Sequence, residues 1–264
     1  MKMMSVNNVT LHYADQGPRD GNVILFINSL GTDFRLWDSL LPLLPQSLRF
    51  VRYDKRGHGT STGPQAPYFM GDLVTDAGAL LDGLGVKSAT VVGLSIGGMI
   101  AQGLAAERPG LVRAMVLSNT GAKIGTPDMW DLRISDARNG GIEALADATM
   151  QRWFSTDFRT HRKPELAAWR NMLTRTWIEG FLGCSAAISQ TDLYDSTARL
   201  RLPVLGIAGS EDGSTPPDLV RETAELVPGS EFAMIRGAGH LPCVEKPDEY
   251  AAILTAFLKK TGVV

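Results

Sequence analysis

The clearest chemical signal in the chain is a serine set among glycines, in the segment Gly93-Leu94-Ser95-Ile96-Gly97-Gly98. An apolar run at 89–92 precedes this GxSxG pattern, and a helical pattern at 95–107 follows, so a strand, a sharp turn and a helix are predicted around it. Glycines permit the tight turn, and the start of a helix favours negative charge developing beside it. The pattern therefore predicts that Ser95 is a nucleophile at the carboxyl edge of a sheet.

A serine nucleophile needs a general base, and the chain contains only four histidines. Where a serine occupies such a turn, the order along the chain is serine, acid, histidine. This order excludes His12 and His58, because both precede Ser95. His161 lies in a polar stretch that is expected on the surface. His240, in a loop just after the last predicted strand, is therefore the predicted base.

The acid that orients the imidazole must lie between Ser95 and His240. The loop after the apolar run at 203–208 offers two adjacent carboxylates, Glu211 and Asp212. Both follow a strand and are expected at the edge of the sheet to which the serine points. The residues alone leave this choice open.

Acyl transfer through a serine also needs two N–H groups that bind the developing oxyanion. One is predicted from Ile96, the residue after the nucleophile. The second is expected from the loop after the apolar run at 23–27, where Gly31 permits an unusual backbone conformation. Leu30 is the predicted donor in that loop.

Strands and helices in alternation must position these residues. Short runs that are apolar on both faces are typical of interior strands of a parallel sheet, and they occur at 23–27, 50–53, 89–92, 114–117, 203–208 and 231–235. Helical patterns occur at about 70–84, 95–107, 216–227 and 247–260. An alternating segment at 6–13 predicts a short hairpin. The alternation of strands and helices predicts the α/β fold class.

The alternation stops between about 123 and 198, where four of the five tryptophans lie and no strand-like run occurs. An all-helical insertion between two strands predicts a cap over the strand ends. The expected organisation is therefore a core formed by 1–122 and 199–264, with a cap formed by 123–198.

Composition excludes several function classes. The chain has 264 residues, of which 44% are hydrophobic and 20% charged, so it can bury a substantial core and is not a disordered segment. The net charge of -2, without a cluster of Lys or Arg, argues against nucleic-acid binding. No apolar run approaches the roughly 20 residues of a membrane helix, and no leader or membrane partner is expected. No metal or cofactor is expected either. Cys184 and Cys243 form no CxxC motif and are expected to be free thiols in a reducing cytoplasm.

Taken together, these residues resemble the α/β-hydrolase family over the whole chain. Residues 54–61 are similar to its DxRGxGxS segment, and residues 209–217 and 239–247 resemble its acid and histidine loops. The resemblance implies a mostly parallel, eight-stranded sheet with helices on both faces and a helical cap inserted after the sixth strand. It also favours Asp212 over Glu211 as the acid.

One segment that differs from most members of the family resembles one of its subgroups. Most members carry His-Gly where this chain has Asn28-Ser29, and the segment 28–32 is similar to that of 3-oxoadipate enol-lactonases, as is the segment 180–193. The resemblance implies hydrolysis of the enol-lactone of 3-oxoadipate to 3-oxoadipate, a late step in bacterial catabolism of aromatic compounds. The alternatives are another capped hydrolase (a carboxylesterase, a carbon–carbon bond hydrolase or a cofactor-free perhydrolase) or a non-catalytic ligand receptor.

The implied substrate is a small anionic lactone, whose carboxylate needs a counter-charge in a closed pocket. Arginine suits this task because its planar fork binds both oxygens. Arg133 is the predicted ligand, on a helix that begins near Asp128 and places Trp130 on the same face as an apolar wall. Arg35, in the loop after the oxyanion segment, is the alternative, and Trp153 is a further candidate contact. The competing interpretation is that Arg133 is solvated and paired with a nearby acid.

Overall fold

The computed structural model describes residues 1–264 and is organised around one eight-stranded sheet of order β1-β2-β4-β3-β5-β6-β7-β8. Its strands are β1 (Lys2–Val6), β2 (Val9–Gln16), β3 (Val23–Ile27), β4 (Arg49–Tyr53), β5 (Ala89–Leu94), β6 (Val112–Ser118), β7 (Val204–Gly209) and β8 (Glu231–Ile235). β2 runs antiparallel to both of its neighbours, and every other adjacent pair is parallel. The predicted α/β fold class is confirmed.

Eleven helices accompany the sheet. They are α1 (Met70–Gly83), α2 (Ile96–Glu107), α3 (Pro127–Gly140), α4 (Glu143–Trp153), α5 (Thr156–His161), α6 (Lys163–Thr174), α7 (Ile178–Ser189), α8 (Tyr194–Ala198), α9 (Pro217–Glu225), α10 (Pro242–Glu245) and α11 (Pro247–Lys260). Two short 3₁₀ turns, Phe34–Trp37 and Leu41–Leu43, separate β3 from β4. α2 packs against β5 and β6, and α9 packs against β7 and β8. No helix is both long enough and apolar enough to span a bilayer.

The apolar runs identify the strands because the interior strands are buried on both faces. All residues of β3, β4, β5 and β7 are buried. β3 and β8 have the predicted bounds, and the other predicted strands and the four predicted helices differ by two residues or fewer at their ends. The predicted hairpin is β1 and β2, and Asn7 adopts a positive φ of 47° at its turn.

Six helices, α3 to α8, connect β6 to β7. α3 packs against α7 and α4, and α4 also packs against α6, so these helices form one layer of their own. α3 begins at a capped end, because the side chain of Thr126 accepts a hydrogen bond from Met129 N and Pro127 occupies the first turn.

The sheet register brings the loops after five strands to one edge. Residues at or near the ends of neighbouring strands are paired: Ile27 with Gly93, Leu94 with Ser118, Ser118 with Ile207, and Gly209 with Ile235. Because these strands are parallel, the segments that follow them leave the sheet on the same side. The residues predicted to do chemistry all follow one of these strands.

Candidate active site

Ser95 occupies the sharp turn between β5 and α2. Its φ of 60° and ψ of -121° lie in a region that non-glycine residues rarely adopt, which is typical of strain held at a functional position. A side chain would not fit at two of the flanking glycines: a Cβ on Gly93 would lie 2.2 Å from Gly97 O, and a Cβ on Gly97 would lie 2.2 Å from Ile27 O. The turn is therefore specified by these glycines, and it presents the serine side chain to a cavity of about 400 Å³.

The backbone of Ser95 is held by the last residue of β6 and by the segment that follows it. Its N–H donates to Ser118 O at 3.0 Å, and Thr120 Oγ1 donates to Ser95 O at 2.6 Å. The nucleophile candidate is thus fixed by its own helix and by a neighbouring strand end. Such anchoring keeps a strained turn in place.

His240 lines the same cavity as Ser95, in the loop after β8. Its N–H donates to Trp153 O at 2.8 Å, and its ring Nδ1 lies 3.0 and 2.9 Å from the two carboxylate oxygens of Asp212. A carboxylate accepts from Nδ1–H, so the neutral ring carries its proton on that nitrogen. Nε2 is then free to act as a base.

Asp212 is buried and heavily hydrogen-bonded. Oδ2 accepts from Thr215 Oγ1 at 2.6 Å and from Asn119 Nδ2 at 2.9 Å, and Oδ1 accepts from Ser214 N at 2.7 Å. Burial on its own raises the pKa of Asp212, but the adjacent His240 and these hydrogen bonds lower it more, so the net pKa lies below its usual value. The carboxyl group is therefore held as an anion.

The adjacent candidate, Glu211, points elsewhere. Its side chain is exposed and accepts from Thr156 N at 3.0 Å, at the start of α5. The structure thus brings Ser95, His240 and Asp212 to one place and leaves Glu211 outside it. His161, at the surface of α5, pairs with Asp157.

One predicted oxyanion donor follows Ser95 in the chain, and the other lines the same cavity as Ser95. Ile96 is the first residue of α2, and its N–H has no acceptor within that helix. Leu30 lines the cavity in the loop after β3, and its N–H donates to no protein atom. Gly31 has a φ of 74°, and a Cβ there would lie 2.4 Å from Leu173 Cδ1, so this loop requires glycine.

Helix α3 contributes Trp130 and Arg133 to the cavity. The indole N–H of Trp130 donates to Ile124 O at 2.6 Å, which fixes the ring. The guanidinium of Arg133 lies 5.2 Å from the Trp130 ring centroid and 5.6 Å from that of Phe181. Trp153, at the end of α4, also lines the cavity.

Arg133 has no ion-pair partner, contrary to the competing interpretation of a solvated, paired residue. Its Nε is buried and makes no hydrogen bond. Burial and the positive charge of Arg152 lower the pKa of Arg133 to about 10. Asp136 also lines the cavity, but it is exposed and forms no ion pair with either arginine.

Sequence reasoning missed Arg152 and Asn119. Arg152, near the end of α4, lines the cavity with only Thr149 Oγ1 as a hydrogen-bond partner, at 3.1 Å, and burial lowers its pKa. Asn119 directly follows β6 and binds Asp212, with a φ of 46°. Its place at a strand end was a usable signal, whereas nothing in the sequence marks Arg152.

Arg35 is a correction to the sequence-based expectation, because it lies away from the cavity that Ser95 and His240 line. Its guanidinium pairs with Asp33 at 2.6 Å and is 63% exposed, in a separate groove between the core and α6. The aspartate two residues earlier caps the 3₁₀ turn and holds the arginine against the surface. Arg35 therefore does not contribute a charge to the cavity.

No three His, Cys, Asp or Glu side chains are clustered so that they could hold a metal ion. Both cysteines, Cys184 and Cys243, are buried and free, as the sequence predicted. Burial raises the pKa of the Cys184 thiol to about 12.

Comparison with known proteins agrees with this architecture. The sequence profile of the alpha/beta hydrolase fold family matches residues 22–247. The chain is 31% identical to 3-oxoadipate enol-lactonase 2 of Acinetobacter baylyi over 257 residues, which cover 97% of this chain and 96% of that protein. It is also 31% identical to 3-oxoadipate enol-lactonase 1 of the same organism, covering 95% and 93%.

Among solved structures, the enol-lactonase from Burkholderia xenovorans LB400 superposes with a TM-score of 0.94 at 34% identity, covering 98% of this chain and 100% of that one. The family resemblance drawn from the sequence is confirmed. This chain belongs to the α/β-hydrolase fold family.

Proposed function

We propose that this protein hydrolyses the enol-lactone of 3-oxoadipate to 3-oxoadipate. The observation that carries the proposal is the charge of the cavity: Arg133 and Arg152 line it together with Ser95 and His240, and neither arginine forms an ion pair. The similarity to two proteins named 3-oxoadipate enol-lactonase, each 31% identical over nearly the whole chain, supports the same substrate.

A carboxylate is the ligand that best suits two neighbouring arginines without an ion pair. Both guanidinium groups line the cavity, and burial and the positive charge of Arg152 lower the pKa of Arg133. A bound carboxylate supplies hydrogen-bond acceptors and neutralises charge at once. The lactone carries one carboxylate and the product carries two, so both fit a cavity with two cations.

The first half-reaction opens the ring. Ser95 Oγ attacks the lactone carbonyl as His240 Nε2 takes its proton, and Asp212 stabilises the imidazolium. The N–H groups of Leu30 and Ile96 bind the oxyanion. Collapse of the tetrahedral intermediate breaks the ring C–O bond, and the enol oxygen receives the proton from His240. This oxygen stays tethered to the acyl group, and the enol tautomerises to the ketone.

The second half-reaction releases the product. Water attacks the acyl carbonyl while His240 takes its proton, and the proton passes to Ser95 Oγ as the ester bond breaks. The added carboxylate is the second one of the product. Trapping of an acyl-enzyme with hydroxylamine distinguishes this route from direct attack of water on the lactone.

The test is the loss of enol-lactone absorbance with purified protein, run beside p-nitrophenyl acetate as a neutral ester. We expect hydrolysis of the lactone well above its spontaneous rate and a higher kcat/KM than for the ester. Turnover of the ester without turnover of the lactone would reject the substrate and leave a carboxylesterase. Turnover of neither would reject both the lactone and simple esters as substrates.

A further inference from the structure

Two buried side chains from the loop after β4 hold two consecutive peptide groups of the loop after β3. Lys55 Nζ donates to Ser29 O at 2.6 Å and lies 3.4 Å from Thr32 O. His58 Nε2 accepts a hydrogen bond from Gly31 N at 3.0 Å. Between these two contacts lies the N–H of Leu30, which donates to no protein atom.

We propose that Lys55 and His58 are positioning residues that orient and polarise the peptide group that binds the oxyanion, an inference that rests on the proposed hydrolysis. Ser29 C=O and Leu30 N–H belong to the same peptide. In a planar trans peptide these two bonds point in opposite directions. An ammonium group on the carbonyl oxygen therefore directs Leu30 N–H away from Lys55, and Leu30 lines the cavity that contains the nucleophile.

The charge of Lys55 also acts on the strength of the N–H donor. A cation on the carbonyl oxygen draws electron density along the peptide, which makes the opposite N–H a better donor, and this polarisation is larger where water is excluded. Only 1% of Lys55 is exposed. The N–H of Leu30, which would bind the oxyanion, therefore belongs to a peptide whose carbonyl oxygen is bound by the positive charge of Lys55.

Burying the charged amine of Lys55 costs free energy, which argues that Lys55 does more than fill space in the core. It has no carboxylate within ion-pair distance, and its hydrogen bonds go to backbone carbonyls of one loop. Burial lowers the pKa of Lys55 to about 8. An apolar side chain of similar length would avoid this penalty. It would leave Ser29 O with only the uncharged donors of Thr32, its N–H at 3.3 Å and its Oγ1 at 2.9 Å, and would remove the one charged donor on this carbonyl.

His58 fixes the next peptide. Its Nδ1 lies 3.2 Å from Arg56 O, and burial lowers its pKa well below the usual value, so the ring is neutral. A neutral ring that donates from Nδ1 to the Arg56 carbonyl presents an unprotonated Nε2, which is the acceptor that Gly31 N requires. Both peptides that flank the Leu30 α-carbon are therefore held from the core side.

The experiment compares four variants of the full chain: Lys55→Met, His58→Leu, His58→Gln and, as a matched control, Lys87→Met at an exposed position before β5. Gln places an amide oxygen near the position of Nε2 and preserves an acceptor, whereas Leu removes it. Three readouts are taken: kcat and KM on p-nitrophenyl acetate, the same constants on the enol-lactone, and the inhibition constant of phenylboronic acid. The boronate forms a tetrahedral adduct on an active serine and places an oxygen where the oxyanion would lie.

We expect Lys55→Met to lower kcat by about 10- to 100-fold, less than the 10²- to 10³-fold loss typical of removing an oxyanion donor outright. KM should change by less than about threefold, and the affinity for phenylboronic acid should fall in proportion to kcat. His58→Leu should lower kcat by about 10-fold, and His58→Gln should recover most of that loss. Lys87→Met should behave as the unmodified protein.

Two results would overturn the proposal. One is kcat within twofold of the unmodified protein for folded Lys55→Met and His58→Leu. The other is a loss of kcat with unchanged affinity for the boronate. If Lys55→Met does not fold, the pair His58→Leu and His58→Gln decides the question, since equal activity in both would contradict an acceptor role. The ester arm tests the positioning residues even if the lactone is not a substrate, so the two proposals can fail separately.

Discussion

The two walls of the cavity differ in how completely their polar groups are satisfied. On the core side, Asp212 accepts hydrogen bonds from three residues besides His240. On the side formed by α3 and α4, Arg133 Nε has no partner and Arg152 has one. Groups that take part in the reaction act faster when their geometry is fixed in advance. Cations without hydrogen-bond acceptors obtain them only when a ligand binds. The difference suggests that the core performs the reaction and the helical layer selects its substrate.

The two walls are nevertheless joined at one point. Arg152 O accepts from Gly213 N at 3.1 Å, and Trp153 O accepts from His240 N at 2.8 Å. The carboxylate of Glu245 accepts from both Gly239 N and Ser155 N. The end of α4 is thus hydrogen-bonded to the loops that carry Asp212 and His240, so Arg152 and His240 are held in one connected network.

The largest effect is expected on the core wall. Ser95→Ala should lower kcat by at least about 10⁴-fold on both the lactone and a neutral ester, and circular dichroism should show an unchanged fold. His240→Ala should act alike, and the double variant should be little worse than either, because the residues act as one unit. Losses that multiply in the double variant would contradict a shared mechanism.

The choice of acid gives the next largest effect. Asp212→Asn should lower kcat by about 10³- to 10⁴-fold, because an amide no longer stabilises the imidazolium and favours the wrong tautomer. Glu211→Gln, the matched control one residue earlier, should stay within about twofold. Steady-state kinetics on the neutral ester measure both. Comparable losses in the two variants would mean that the loop is sensitive to any substitution and would contradict a specific role of Asp212.

On the helical wall the expected effect is smaller and depends on the substrate. Arg133→Met should lower kcat/KM for the lactone by about 10- to 150-fold, the loss of a charge-assisted contact of about 1.5–3 kcal/mol. A neutral ester should be nearly unaffected. Arg138→Met, at an exposed position of the same helix, is the control and should change neither substrate. Equal losses on both substrates would assign Arg133 a structural role.

The smallest expected effect is that of Arg133 on the pH profile of the reaction. The measurement is the rate on a neutral ester between pH 5 and pH 7, in the unmodified protein and in Arg133→Met. The pKa of Asp212 lies below its usual value, so this carboxylate stays ionised over the range. The pKa of Arg133 is about 10, so it stays protonated, and Arg133→Met should leave the shape of the profile unchanged. A profile whose shape changes in Arg133→Met would contradict this prediction.

Most of the core could be predicted from the sequence because local patterns determine it. Strands buried on both faces appear as continuous apolar runs, and the positions of Ser95 and His240 follow from the elements that flank them. Asn119 is harder to recognise, since its contact with Asp212 joins two loops that are distant along the chain. The sheet register brings them together, and no local pattern records that register.

The helical layer shows where sequence reasoning fails. Arg133 could be placed because helical spacing sets it beside Trp130, and the two do contact each other. Arg152 reaches the cavity through the packing of α4 against α3 and α6, which periodicity does not specify. Arg35 follows the predicted oxyanion loop closely in sequence, but its guanidinium pairs with Asp33 and lies outside the cavity. Proximity in sequence does not determine the direction of a long, charged side chain.

The most direct test of the division between the walls is the ratio of kcat/KM for the enol-lactone to that for p-nitrophenyl acetate, measured in the unmodified protein and in the double variant Arg133→Met with Arg152→Met. If the core performs the reaction and the helical layer recognises the carboxylate, this ratio should fall by at least about 100-fold, while kcat/KM for the ester stays within about threefold. An unchanged ratio, with both substrates losing activity together, would contradict the account.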